Sequence, residues 1–203
     1  MNFDPNKHIF KSPKVRAIIN EAIAFFNLTP SQPLPPPESF IGTGVYSLYY
    51  LGNYDLYNTV AKANISECTQ PIYVGKAVPK GWRTARGGTE EDSTLTQRLR
   101  EHARSIKQCA GLDISDFKCR FMILKGEESS MITIVEAALI KKYRPLWNTI
   151  VDGFGNHDPG SGRYDQAKSE WDILHPGRPW AENLRGKSPD LEGVKTKIRK
   201  ILE

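Results

Sequence analysis

Apolar positions recur along this chain with two different periods, and each change of period marks an element. Between residues 14 and 27, Ile18, Ile19, Ala22, Phe25 and Phe26 recur at helical spacing. They predict a helix that Ser12 caps and Pro13 opens. From Thr29 to Glu38 that pattern stops. Pro33, Pro35, Pro36 and Pro37 predict a stiff, extended connector rather than helix or sheet. Gly44 to Leu51 is dense in aromatic and β-branched residues and reads as a strand. A polar stretch with room for a short helix runs to Asn64, and Pro71 to Gly75 forms a second strand. A loop rich in Gly, Arg and Lys follows from Lys76 to Asp92. Thr94 and Gln97 fit a capping box that opens a helix to about Gln108. Phe117 to Leu124 is a third strand, ended by Gly126-Glu127-Glu128. Ser129 or Ser130 caps the next helix, which runs to about Tyr143 and is stopped by Pro145. A glycine-rich loop from Gly153 to Gly162, a short helix near 165–174 and a basic helix from about Leu191 complete the chain.

The core order is therefore β-β-α-β-α, a small α/β module of the α+β class. The organisation predicted is an N-terminal helix and proline-rich arm (1–40), a core (41–150), and a glycine-rich loop with a helical extension (151–203), all in one overall domain. The length of 203 residues and the 39% hydrophobic fraction suit a chain with one real core. No charged-then-apolar leader and no run of about 18 apolar residues is present. The expectation is a cytoplasmic protein without a membrane partner. Cys68, Cys109 and Cys119 form no CxxC pair and read as free thiols. The net charge of +5 is compatible with a polyanionic partner.

Chemistry concentrates at a few positions. Tyr46 and Tyr73 lie near the ends of the first two strands. If those strands pair antiparallel, two phenols can converge on one face; each alone is also an ordinary strand aromatic. Arg98 and His102 are four apart on one helix and share a face. Arg98 offers a fork of donors suited to phosphate, and His102 can exchange a proton near neutral pH. Glu136 stands in the apolar run Ile134 to Ile140, where an unpaired carboxylate is costly. One carboxylate with waters and a phosphate oxygen is enough to hold Mg²⁺. Asn148 can donate or accept a hydrogen bond beside such a site.

In this order, these residues resemble the GIY-YIG nuclease superfamily. Gly44-Val45-Tyr46 stands at the GIY position and Tyr73-Val74-Gly75 at the YIG position, with Val for Ile in both. Arg98, Glu136 and Asn148 continue the pattern on the expected elements. The chain looks most like the type II restriction-endonuclease branch. Supporting features are Tyr73 to Pro79, the Arg98/His102 pair, Glu136 to Lys141 leading into Pro145-Leu146-Trp147-Asn148, and Val151 to His157.

The resemblance implies a core with a three-stranded antiparallel sheet flanked by helices, and site-specific hydrolysis of double-stranded DNA with one Mg²⁺ per active site. It gives Tyr46 the role of general base, relaying its proton toward His102. Tyr73 positions water or phosphate, Arg98 neutralises phosphoryl charge, Glu136 holds the metal and Asn148 orients its neighbours. Lys76 is an alternative base or a second phosphate ligand. DNA grip is expected from Lys76, Lys80, Arg83, Arg86, Arg100, Arg104 and Lys107. A palindromic target such as CCGCGG implies a homodimer, with Phe25, Phe26 and the proline-rich arm as candidate contacts. A restriction role also implies a DNA methyltransferase in the same system. The alternatives are a repair or homing nuclease of the same family and a non-catalytic DNA-binding module.

Overall fold

Every residue of Gly44–Tyr50 is buried, which makes this strand the centre of the molecule. A strand covered on both faces loses the polar half of its alternation and reads as one apolar and aromatic run. The computed structural model describes residues 3–79, 81 and 92–202. In it, β1 (Gln32–Pro33), β2 (Gly44–Tyr50), β3 (Tyr73–Ala77) and β4 (Phe117–Ile123) form an antiparallel sheet of order β1-β4-β2-β3.

Helices cover the sheet on both sides. On one side α1 (Pro13–Leu28) and α4 (Ile132–Tyr143) bring Ile23, Phe26, Ile132, Val135 and Leu139 against Val45, Val74 and Met122. On the other, Tyr46, Leu48 and Tyr50 meet Leu95, Leu99, Ala103 and Ile106 of α3 (Thr94–Gln108). The same core takes in Trp147 from α5 (Leu146–Thr149), Trp171 from α6 (Glu170–Leu174), and Val194 and Ile198 from α7 (Leu191–Leu202). The short α2 (Asn58–Lys62) adds Val60 and Ala61. Among the described residues no helix is long and apolar enough to cross a membrane. Cys68, Cys109 and Cys119 are free and buried.

The α+β class with an antiparallel sheet and flanking helices stands, and the differences are local. The sheet has four strands rather than three, because the proline-rich connector is extended enough for Gln32 and Pro33 to pair with β4. Pro33 sits on the sheet edge, where a missing N–H costs no ladder bond. Ser12 stands at the N-cap of α1, but its hydroxyl makes no capping bond there. The N-cap of α3 is Ser93, one residue earlier than Thr94; Gln97 Nε2 donates to Ser93 Oγ at 2.9 Å, while Thr94 bonds back to Asp92. Ser129 and Ser130 do not cap α4. Their hydroxyls donate to the carbonyls of Gly126 and Glu127 within a 3₁₀ turn that precedes it. Arg144, the residue before Pro145, closes α4 in the left-handed region at φ 45°, with its N–H donating to Ile140 O. Phe26 is completely buried in the core and is unavailable to a partner, whereas Phe25 is exposed.

Candidate active site

Register brings the two tyrosines together. Tyr46 pairs with Gly75 and Leu48 with Tyr73, so Tyr46 and Tyr73 lie on one face two positions apart across the β2–β3 ladder. Their ring centroids are 6.3 Å apart. The Tyr46 ring lies over Gly75, where a Cβ would collide with its hydroxyl end. The glycine of Tyr73-Val74-Gly75 is therefore required by the neighbouring tyrosine, not by its own backbone angles. Gly44 is required both by the carbonyl of Met122 on β4, which a Cβ would meet, and by its own φ of 156°.

One turn of α3 carries Arg98 and His102 toward this face. His102 is buried, and its Nε2 shares a 2.6 Å hydrogen bond with the Tyr46 hydroxyl. Burial, assisted by Arg98, His157 and Arg178, holds the His102 imidazole down at about 3. Burial also pushes the Tyr46 phenol well above its usual range, and the neighbouring Tyr73 adds to this. Both directions favour the neutral pair, in which the phenol donates to an imidazole protonated at Nδ1. Arg98 is half-buried; its Nη1 donates to Glu101 Oε2 at 2.9 Å and also to His157 Nε2.

Glu136 reaches the site from the other side of the sheet. Its Oε2 accepts an ion pair from Lys76 Nζ at 2.7 Å. After burial, its charge is the next cause that raises Tyr73, so it acts within the field of the phenols. Asn148 is not at the centre. Its side chain clamps the outer edge of β3, where Oδ1 accepts from Val74 N at 2.7 Å and Nδ2 donates to Val74 O at 2.8 Å. Beside it, Trp147 N donates to Ile72 O at 2.9 Å. This helical turn thus holds the β3 backbone on either side of Tyr73. Arg100, Arg104 and Lys107 project from α3 as exposed side chains, and Lys76 is partly exposed. Lys80, Arg83 and Arg86 lie outside the described residues.

The sequence pattern of the Eco29kI GIY-YIG domain matches residues 38–202. The chain belongs to that family. That family is a type II restriction-endonuclease one, and the chain is accordingly a GIY-YIG nuclease domain that acts on DNA. No curated protein matches the sequence closely enough to add a second relative. The Eco29kI GIY-YIG match includes the extension beyond Asn148, and that extension holds the residues that sequence reasoning missed. Arg178 is 1% exposed and forms a buried ion pair with Asp172, Nε to Oδ1, at 2.7 Å. Its Nη groups donate to the carbonyls of Gly153, Phe154 and Asn156 at 2.9 to 3.2 Å. Its guanidinium lies 4.7 Å from the Trp171 ring centre and 4.6 Å from that of Trp180. The clamped loop stacks Phe154 on His102, with centroids 4.7 Å apart and planes 19° apart, and sets its edge against Tyr73. The available signal was the run Gly153 to His157 followed by an arginine between tryptophans; nothing in their spacing ties them to Tyr46.

A second tyrosine–histidine pair lies deeper in this core. Tyr57 Oη and His175 Nε2 are 2.7 Å apart, and Trp147 Nε1 donates to the same hydroxyl at 3.1 Å. Burial holds His175 down at about 4. Both histidines bind a proton more readily in the unfolded chain, where the ordinary value is about 6.5. Their contribution to stability is therefore fully present above about pH 6.5 and is lost as pH falls toward 4 and then 3. Thermal unfolding followed by circular dichroism should show Tm falling between pH 6.5 and 5, above the ordinary carboxylate range. A flat Tm over that interval would mean that neither histidine is held neutral by the fold.

Proposed function

We propose that this chain is a site-specific endonuclease that cuts double-stranded DNA as a homodimer, with one Mg²⁺ per active site. The observation that carries the mechanism is the 2.6 Å Tyr46–His102 hydrogen bond set beside Tyr73 and Arg98. A water placed over the phenols attacks phosphorus in line with the 3′ oxygen. As the new P–O bond forms, the water's proton passes to Tyr46 Oη and the phenol's own proton passes to His102 Nε2. The P–O3′ bond breaks, leaving a 5′-phosphate and a 3′-hydroxyl that takes its proton from solvent.

The directions of the Tyr46 and His102 shifts favour a neutral resting pair, so the proton moves through the pair during the attack. Tyr73 positions the water or the phosphate, and Arg98 neutralises charge on the phosphoryl oxygens. Lys76 is the weaker candidate for the base, because its ammonium is already engaged by Glu136.

The metal fits as a single-carboxylate ion. No cluster of three His, Cys, Asp or Glu side chains occurs among the described residues. Glu136 offers one hard oxygen donor set, and Mg²⁺ is commonly held by one carboxylate with waters and substrate phosphate oxygens. When bound there, it supplies Lewis-acid support for the developing charge on the leaving oxygen.

Arg100 and Arg104 on α3, together with Lys76 and the basic sequence positions Lys80, Arg83 and Arg86, would track the phosphates and set register. For the homodimer, α1 leaves Val15, Ile18, Phe25 and Leu28 exposed along one stripe. Two active sites related by a two-fold axis suit a palindrome, with CCGCGG the first target to test.

The test is to incubate the protein with unmethylated plasmid of known sequence, in Mg²⁺ and in EDTA. Discrete fragments in Mg²⁺ alone, with mapped ends at one palindrome, are expected. Random nicking would replace the restriction reading with a repair-type one, and tight binding without cutting would leave a DNA-binding module.

A further inference from the structure

We propose that His157 is a positioning residue of this site, accepting a hydrogen bond from Arg98 Nη1 and thereby fixing the guanidinium where the scissile phosphate is met. This rests on the nuclease reading of the site. Arg98 is a donor only, so the His157 Nε2 that it contacts must present a lone pair, and the ring proton is then on Nδ1.

Arg98 needs such a partner. Its side chain is half-buried, and a long side chain with many rotamers holds one position only when its donors are engaged. Its other described acceptor, Glu101, is on its own helix three residues on, and that contact is available to a side chain lying flat along α3. A second acceptor from across the site selects one rotamer. Both contacts use Nη1, which leaves the remaining N–H groups of the fork to face a phosphate.

The loop that supplies His157 is built to hold a position. Arg178 fastens the carbonyls of Gly153, Phe154 and Asn156, and is itself held by Asp172 and two tryptophan faces. Asn156 N closes the turn onto Gly153 O at 3.1 Å. The same loop lays Phe154 on His102. One clamped segment therefore sets the outer partner of the imidazole in the Tyr46 pair and the outer partner of the phosphate-binding guanidinium. His157 itself stands at the wall of an open trough of about 510 Å³ that Glu101, Arg104 and Trp180 also line.

Two measurements on the full chain decide this. The first is a long-range ¹H–¹⁵N spectrum of the His157 ring, in the wild type and in Arg98→Lys. The Nδ1-protonated form with Nε2 accepting is expected, with the Nε2 signal moving in Arg98→Lys. A ring that is indifferent to residue 98 would overturn the proposal whether or not the protein cuts DNA.

The second is single-turnover cleavage of plasmid in Mg²⁺. His157→Ala and His157→Phe should slow it by about 10- to 100-fold, as misplacement of a catalytic group does. His157→Gln, which puts an acceptor back in reach, should return to within about threefold of wild type, with DNA affinity in EDTA changed less than about threefold throughout. Equal rates for wild type and His157→Ala, or loss in His157→Gln as deep as in His157→Phe, would remove His157 from this role. A wild type that binds DNA but never cuts would overturn the nuclease reading and this proposal's catalytic half together, while the ring spectrum would still show whether the contact exists.

Discussion

Tyr46→Phe is expected to bind DNA normally and to cut it roughly 10²–10⁴-fold more slowly, the usual contribution of a general base. In barrier terms that is about 3–5 kcal/mol. The substitution keeps the ring over Gly75 and removes only the hydroxyl that meets His102 Nε2. Removing it also orphans a buried acceptor, which costs about 1–3 kcal/mol of stability. Rate and stability must therefore be measured on the same sample: single-turnover cleavage and Kd in EDTA at a temperature well below Tm. A folded Tyr46→Phe protein that cuts within threefold of wild type would remove Tyr46 from the base role and leave Lys76 to be tested next. His102→Gln, which retains a hydrogen-bond acceptor but takes up no proton, should slow cutting while leaving the phenol anchored. The pair would then be acting as a relay rather than as a strut.

The parts of this fold that were legible in the sequence are those set by local pattern. β2 and β4 announced themselves by aromatic and β-branched content, α1 by helical spacing, α3 by the Thr94–Gln97 capping pattern, and α4 by the serines before it and Pro145 after it. The convergence of Tyr46 and Tyr73 was legible because antiparallel pairing fixes which positions share a face. Exact caps were not, since Ser93 and Thr94 are chemically interchangeable there and the local bonds from Thr94 back to Asp92 decide between them. The edge strand at Gln32–Pro33 was hidden because an isolated extended proline segment and a two-residue edge strand have the same composition. Least legible was the extension. Arg178 reads as one more surface cation in a basic chain, yet it is buried between Trp171 and Trp180 and pins a loop 22 to 25 residues away in sequence. Such a buried charge is bearable only with its partner and its carbonyl acceptors in place, and those partners are assembled by folding alone.

Glu136→Ala is expected to lose Mg²⁺ affinity and cleavage together, with the rate falling by about 10³-fold or more if the metal supplies the several kcal/mol usual for charge stabilisation at a phosphoryl centre. The ion pair with Lys76 sharpens this expectation. A cation already sits 2.7 Å from Glu136 Oε2, so a divalent ion entering the site must share that oxygen or displace the ammonium. The pair is partly exposed, with the lysine side chain at 34% and the carboxylate at 18%, so solvent screens it and Mg²⁺ with a substrate phosphate can compete. Lys76→Met should then bind Mg²⁺ more tightly than wild type, whereas Glu136→Gln, which keeps the shape but not the charge, should not bind it in the cleavage range. Calorimetric titration of Mg²⁺ into the protein–DNA complex in Ca²⁺-free buffer, beside cleavage rates at several Mg²⁺ concentrations, separates these cases. If Glu136→Gln still cut in a Mg²⁺-dependent way at near wild-type rate, the carboxylate would be only the counter-charge of Lys76, and the metal would have to be held by DNA phosphates and other residues.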